Sequence, residues 1–579
     1  MHDGGAAEEM TTTGTGPCRD GCTGTRVAGR TACLAHLPEP QRTEYLGSLA
    51  PGADLDLRGT VLTPELLTAL LTALRDPAAR RPLIGTARFD GARFTGPADF
   101  GGARFTGDAW FPGVRFEDEM SLAGAEFGGD AWFHGARFAR TAGFGGAQFR
   151  GNAWFHDTRF GGDGWFGSAR FHGGGWFAGA CFDGRARFGA AQFTGDARFN
   201  DARFRTDAYF TVARFSGAAN FDNAEFTGTA GFGGARFLGA AFFGETRFAA
   251  NARFDTARFG EALTLGPLVC AEALVLAGAV FGAPVVIEAA VRRAVCVRTR
   301  WTSTATLRLR HATVDLTDAV LEFPVTIAAA PPFRGQETPF TDREPAGVRL
   351  LSLDGADAAH LTLNSVDLSA CRFAGALHLD QLRLEGRCTF GSTPRRWSPR
   401  RTLAEEHHWR AWSVPPEGSP APPEPAALSV LYRQLRKSLE DGKNEPDAAD
   451  FYYGEMEMRR HDTTRPRAER ALLTAYWALS GYGLRASRAL GWLSAAITVT
   501  VAALTLWGVP AGPPYGSGTG RFTAERVDTA FQVAVNSVVF RSAEEDLTTA
   551  GAYIELTARL TEPILLGLAI LAVRGRLKR

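Results

Sequence analysis

The sequence predicts a mainly β solenoid followed by membrane-spanning helices, and three observations carry that expectation. Phenylalanine recurs from Phe89 to Phe259 at alternating steps of five and six residues. A small residue stands two places before nearly every one, as at Ala103, Ala109, Ala125, Ala131 and Ala136. Far downstream, Ala489 to Val509 is a run of 21 residues without a charge. At 579 residues the chain is too long for one compact core, so a repeat array or several domains is the starting expectation.

The repeat comes first. A helix would place apolar residues at steps of three and four, which these are not. Small-x-large is an alternation of period two, describing a strand of about three residues whose outer positions face inward and whose middle position faces solvent. Gly, Asp, Asn and Thr follow each strand and suit a corner. A short strand and a corner, repeated many times, make a coil. Leu122 alone replaces Phe in the register, while Val114, Met120, Thr158 and Thr246 replace the small residue.

These residues resemble the pentapeptide-repeat family, whose tandem A-(D/N)-L-x-x units wind into a right-handed quadrilateral β-helix; here Phe stands for the central Leu. The resemblance covers residues 81–261 and returns from Leu353 to Phe390 through Leu363, Leu368, Phe373, Leu379 and Leu384. One extra residue in alternate units makes the repeat eleven long. Two repeats then form one turn of 22 residues, with a bulge at the corners of the longer units. Residues 22 apart should stack at ~4.8 Å. That spacing joins Trp110, Trp132, Trp154 and Trp176 on one face and Arg93, Arg115, Arg137 and Arg159 on another, all at solvent-facing positions. The tryptophan row is either a binding strip or a self-stacking ladder.

Lys plus Arg number 63 against 62 Asp plus Glu, so no global field draws the protein to nucleic acid. The same balance opposes the DNA mimicry that acidic members of the resembled family perform. Eight cysteines in this length fit reduced thiols. The first 16 residues lack a basic and an apolar region and read as a disordered tail, not a signal peptide.

Over residues 17–37, Cys18, Cys22, Cys33 and His36 have the spacing C-x3-C-x10-C-x2-H. Two close pairs across a Gly-rich loop can close a tetrahedral structural zinc site; the alternative is three reduced thiols and a helix-start histidine. Residues 38–80 hold "TPELLTALLTALRD", with Thr63 as N-cap, Pro64 at the first position and Leu66, Leu67, Leu70, Leu71 and Leu74 on one face. Such a helix caps the open end of a solenoid.

Residues 262–392 read as a less regular continuation of the solenoid, with "ETPFTDREPAG" looping out, and 393–426 as a proline-rich linker. His407 and His408 in that linker are either solvated or a weak metal pair. Residues 427–485 regain helical periodicity with a turn at Gly442 to Pro446, predicting a two-helix hairpin that resembles the membrane-proximal segment of bacterial pentapeptide-repeat membrane proteins. Arg459, Arg460, Arg465, Arg467 and Arg470 suit an approach to lipid headgroups.

Residues 486–509 are long enough to cross ~30 Å of hydrocarbon and carry Trp492 and Trp507 near their ends. A second span over 553–574 must include Glu555, Arg559 and Glu562, an intramembrane charge cluster on one helical face where Glu and Arg can pair. Arg485 and Arg488 before the first span, and Arg574, Arg576, Lys578 and Arg579 at the basic tail 575–579, place both termini in the cytoplasm. Between the spans, 510–552 is an extracytoplasmic loop whose helix could re-enter the bilayer. No nucleophile constellation or phosphate loop predicts an enzyme. The expected protein is a cell-membrane scaffold in contact with lipid, whose cytoplasmic rod meets a protein partner or a second copy. The alternative is an oligomeric, channel-like protein gated by that rod.

Overall fold

A computed structural model describes residues 17–19, 21–261, 263–333, 340, 346–394, 399–414, 421–510, 523–539 and 547–577. The expected tail over 1–16, most of "ETPFTDREPAG" and much of the loop between the two spans lie outside the described residues. The chain divides into two compact units, one formed mainly by residues up to 371 and the other mainly by residues from 390 onward.

The first unit is a β-solenoid with four sides. Each side contributes a two-residue strand that pairs in parallel with the strand 22 positions on. Ala109 meets Ala131 and Trp110 meets Trp132 on one side; Phe116 meets Phe138 on the next. Met120–Ala142 and Phe127–Phe149 complete the turn. One side alone stacks twelve strands, from Leu83–Ile84 to Val320–Leu321.

Phenylalanines fill the interior because the inward positions of four short strands leave room for one large ring each. Phe133, Phe155 and Phe177 are wholly buried, stacked at 4.8 Å with planes 2° apart. Phe144 and Phe166 meet Phe155 edge-on at 5.2 and 5.4 Å, an arrangement that the ring quadrupole favours. The two hydroxyls standing in for alanine are also satisfied inside. Thr158 Oγ1 donates to the Phe133 carbonyl at 2.8 Å, and Thr246 Oγ1 to that of Phe221 at 3.0 Å.

The corners correct one expectation. The residue with unusual backbone lies in the five-residue unit, not in the longer one. Gly91 has φ +63°, at the third position of a turn that the Ala92 N–H closes on the Phe89 carbonyl at 2.8 Å. A turn of that kind needs positive φ there. The position recurs every eleven residues, and where glycine is missing Asp157, Ser168, Ala190, Asp201, Val212, Asn223, Glu245 and Thr256 adopt φ between +54° and +59°. At six-residue corners a side chain takes over instead: Asp108 Oδ1 accepts the Asp130 N–H at 2.8 Å, and Asp130 Oδ1 that of Asn152 at 2.7 Å.

From Ala273 the turn shortens to 20 residues, since Ala273 pairs with Arg293, Val280 with Arg300 and Val285 with Ala305. Strands there run through the corners, as in Leu263–Val275 and Val285–Val295. The expected looseness is thus a change of period. At the other end the helix Pro64–Ala73 buries Leu66, Leu67, Leu70 and Leu71, with Thr63 accepting the Leu66 N–H. It lies between the first-turn strands Val61–Leu62 and Leu83–Ile84, where the strand preceding Ala98–Asp99 would otherwise sit.

The second unit is helical. Pro425–Asp441 and Glu445–His461 form the predicted hairpin, and a third helix, Arg467–Ser480, follows inside the same stretch. The linker expectation is corrected here. Residues 401–402 pair with 391–392, and Ala404–Trp409 is a helix with Glu405 and Glu406 buried. The prolines flank this helix instead of interrupting it. His407 is not solvated either: its Nε2 lies 2.6 Å from Thr402 Oγ1. Of the five arginines expected to face lipid headgroups, three are engaged within the protein, Arg459 with Glu455, Arg460 with Glu457 and Arg465 with Asp462; Arg470 donates to the Arg460 carbonyl at 3.3 Å, and Arg467 is exposed.

Among the described residues, two helices are long and apolar enough to cross a membrane, Ala486–Gly508 and Thr549–Arg574. Ala524–Val538 packs against both through Ala530 and Val533, which meet Leu504 and Ile554.

Candidate metal centre and side-chain ladders

Cys18, Cys22, Cys33 and His36 converge, their ligand atoms all within 4.8 Å of one another. A short antiparallel pair, Pro17–Arg19 with Cys22–Thr25, brings the first two cysteines together. The turn at Leu34–His36 supplies the histidine beside Cys33. Cys22 Sγ is 3.8 Å from Cys33 Sγ, and His36 Nδ1 is 3.6, 3.4 and 3.3 Å from the sulfurs of Cys18, Cys22 and Cys33. Tetrahedral zinc with bonds of ~2.3 Å to sulfur and ~2.0 Å to nitrogen separates its ligand atoms by roughly 3.5–3.8 Å. Four of the six separations, 3.3 to 3.8 Å, are close to the edges of such a tetrahedron.

The surroundings suit thiolates. The Cys33 N–H donates to Cys18 Sγ at 3.1 Å and the Gly24 N–H to Cys22 Sγ at 3.3 Å, as outer hydrogen bonds to metal ligands do. A Cβ at Gly24 would lie 2.9 Å from Cys33 Sγ, so only glycine fits. Burial, joined by the Cys18 contact, pushes the Cys33 thiol up to about 12. Holding the Cys33 sulfur ionised at neutral pH therefore requires a cation beside it. The knuckle is tied to the first solenoid turn, with Thr23 Oγ1 donating to the Gly59 carbonyl at 2.8 Å.

The tryptophan ladder forms. Trp110, Trp132, Trp154 and Trp176 stack at 4.9, 4.9 and 4.7 Å with planes 7° to 14° apart. Arg88 closes one end, 5.9 Å from the Trp110 centroid, and Arg198 the other, 4.3 Å from that of Trp176. The rings are half-buried instead of fully exposed, because each covers its neighbour's face. The two arginines were not foreseen, although they stand 22 residues before and after the row. Beside it, His134 and His156 stack at 5.1 Å. Arg93, Arg115, Arg137 and Arg159 are exposed and in register. Its ends are ion-paired, Arg93 with Glu117 and Arg159 with Asp183 at 2.8 Å.

The charge cluster in the last helix divides. Arg559 pairs with Glu555. Glu562 turns away from them, wholly buried, to Thr500 and Ser537 on the other two apolar helices. Its partners lie 62 and 25 residues away, out of reach of any local pattern.

The family model described as pentapeptide repeats (nine copies) matches residues 83–125, 122–169, 144–192 and 188–236. No curated protein and no solved structure matches the chain.

Proposed function

Residues 83–236 are pentapeptide repeats, and we propose that they present an interaction surface within an integral membrane protein whose rod lies on the cytoplasmic side. The observation that carries the scaffold reading is the ladder from Arg88 to Arg198, a straight, half-exposed aromatic column on a framework that cannot deform locally without breaking its register. Membrane anchoring is supported by the apolar side chains that the two long helices leave uncovered. Leu490, Trp492, Val499, Trp507, Leu560, Ile564 and Leu571 are between 46% and 67% exposed, whereas the core helix of a soluble protein would bury them. The N-terminal knuckle binds structural zinc, with four protein ligands and no open position for a reacting water. A protein partner or a second copy, not nucleic acid, suits the balanced charge.

Two measurements test this. The chain should sediment with membranes and resist alkaline extraction; release into the soluble fraction would remove the anchor. Crosslinking in the native membrane should trap a defined partner or a dimer that a Trp132→Ala, Trp154→Ala double variant loses. Retention by the folded variant would remove the ladder as the contact. The channel-like reading has its own support in Ala524–Val538, which packs against both long helices. Ion flux in reconstituted bilayers, lost on Glu555→Gln or Arg559→Gln, would favour it.

A further inference from the structure

The helices Ala486–Ala503, Ala524–Val538 and Thr549–Leu577 meet around one carboxyl group. Glu562 is 0% exposed and Ser537 likewise, and Thr500 is nearly so. Thr500 Oγ1 donates to Glu562 Oε1 at 2.8 Å. Ser537 Oγ lies 2.5 Å from Glu562 Oε2 and, at the same time, 2.7 Å from the Ala534 carbonyl oxygen.

Counting protons decides the state of this group. A serine hydroxyl carries one proton, a carbonyl oxygen only accepts, and an ionised carboxylate only accepts. With Glu562 ionised, Ser537 could serve one of its two neighbours, and the other short contact would set two acceptors together with nothing between them. With Glu562 neutral the count closes: Oε2–H donates to Ser537 Oγ, Ser537 donates to the Ala534 carbonyl, and Oε1 accepts from Thr500. Every buried polar atom of the group is then satisfied, as low-dielectric surroundings demand.

Among the described residues no nearby charge offers an alternative. On its own helix, Arg559 is committed to Glu555. On Ala486–Ala503 the charged residue is Arg488, three turns from Thr500, which donates to the Trp477 carbonyl at 3.1 Å. Glu525, Arg526 and Asp528 stand at the start of Ala524–Val538, away from Ser537, and Arg526 donates to the Val509 carbonyl at 2.7 Å. Arg467, Glu469 and Arg470 occupy the first turn of Arg467–Ser480, the far end from the bundle. Around the carboxyl the packing is apolar, with Ala534, Ala558 and Leu565 buried.

We infer that Glu562 is a proton-binding site: a carboxylic acid that keeps its proton in the native protein and uses it to hold the three helices together. The proton is the ligand, and Thr500 and Ser537 are the residues that position it. This does not depend on what the repeat surface binds.

The experiment is infrared difference spectroscopy on the full-length protein in lipid at neutral pH, wild type against Glu562→Gln. A carboxylic-acid carbonyl band should vanish in the variant, shift in heavy water and be indifferent to replacing sodium by choline. Ser537→Ala should move that band to higher frequency, because the acid loses its acceptor, and this variant serves if Glu562→Gln does not fold. A difference confined to carboxylate bands, or an acid band that emerges only when sodium is withdrawn, would overturn the inference; the second outcome would make the site one for a small cation.

Discussion

Trp110 and Trp132, 22 residues apart in sequence, are paired strand neighbours whose rings stack at 4.9 Å with planes 9° apart. Because Trp132 is covered on both faces, Trp132→Ala removes two stacked contacts, each worth about 0.5–1.5 kcal/mol. The variant should lose about 1–3 kcal/mol locally. Its near-ultraviolet circular dichroism should fall by more than one tryptophan's share, since the coupled column is cut in two. A proportional loss would show that the rings do not couple.

Inside the coil the cost is larger. Phe155 is stacked between Phe133 and Phe177. Phe155→Ala leaves a cavity in a shaft that cannot collapse and should cost about 3–5 kcal/mol in denaturant unfolding. Phe155→Leu should cost less, on the order of 1–2 kcal/mol, because Leu122 already fills an equivalent place wholly buried. Unfolding should begin at the altered turn, as contacts in a solenoid reach only adjacent turns.

Val212 shows the reverse sign. A β-branched residue at φ +59° is strained, and its side chain is 59% exposed, so little burial compensates. The strain is about 1–3 kcal/mol, and glycine's extra unfolded-state entropy offsets roughly 0.5–1 kcal/mol of it. Val212→Gly should therefore raise the rod's midpoint in thermal unfolding. A lower midpoint would show that this corner tolerates valine without strain.

The rod was legible because one steric unit, a ring facing inward and a corner, repeats with a period that the sequence carries openly. The cluster of Cys18, Cys22, Cys33 and His36 was legible too, because its members are close in sequence and chemically distinctive. What escaped was polar chemistry satisfied from afar. "LAEEHHW" reads as a solvated, charged stretch, yet Glu406 is buried against Arg400 and, 26 residues on, Tyr432. Glu562 reads as a partner for Arg559, four residues from Glu555, and instead meets hydroxyls from two distant helices. The shorter 20-residue turns escaped because aliphatic residues replaced the phenylalanine that marks the beat.

Metal content tests the knuckle. The purified protein should hold about one zinc per chain, as a four-ligand site requires. Cys33→Ser or His36→Ala should lose it while the rod's circular dichroism persists. Chelation should expose three further thiols, those of Cys18, Cys22 and Cys33, to a thiol reagent. If those thiols react equally before and after chelation, no metal holds them.

The buried pair at Glu405 and Glu406 makes opposite demands on pH. Burial works to raise the Glu406 carboxyl, but the guanidiniums of Arg400 and Arg410 and the Tyr432 hydroxyl prevail and hold it below the usual carboxylate range. A carboxyl depressed in the folded state stabilises it above the unfolded value, about 4.3. That contribution is lost as pH falls through the lower folded value. Glu405 is shifted upward, chiefly by burial, although the Phe373 and Ala374 amides donate to it. Its contribution is full below about 4.3 and fades as pH rises through its folded value. Hydrogen exchange over Ala404–Trp409 and Pro425–Asp441 should therefore accelerate steeply at the acid end, where Glu406 takes up a proton and Arg400 is left buried without its counter-charge. Glu406→Gln should cost about 3–5 kcal/mol, the penalty for stranding one member of a buried pair. It should also abolish the acid limb and leave only the gentler, opposite slope of Glu405. A variant that kept the acid limb would mean that another carboxyl, not Glu406, bears the charge that Arg400 neutralises.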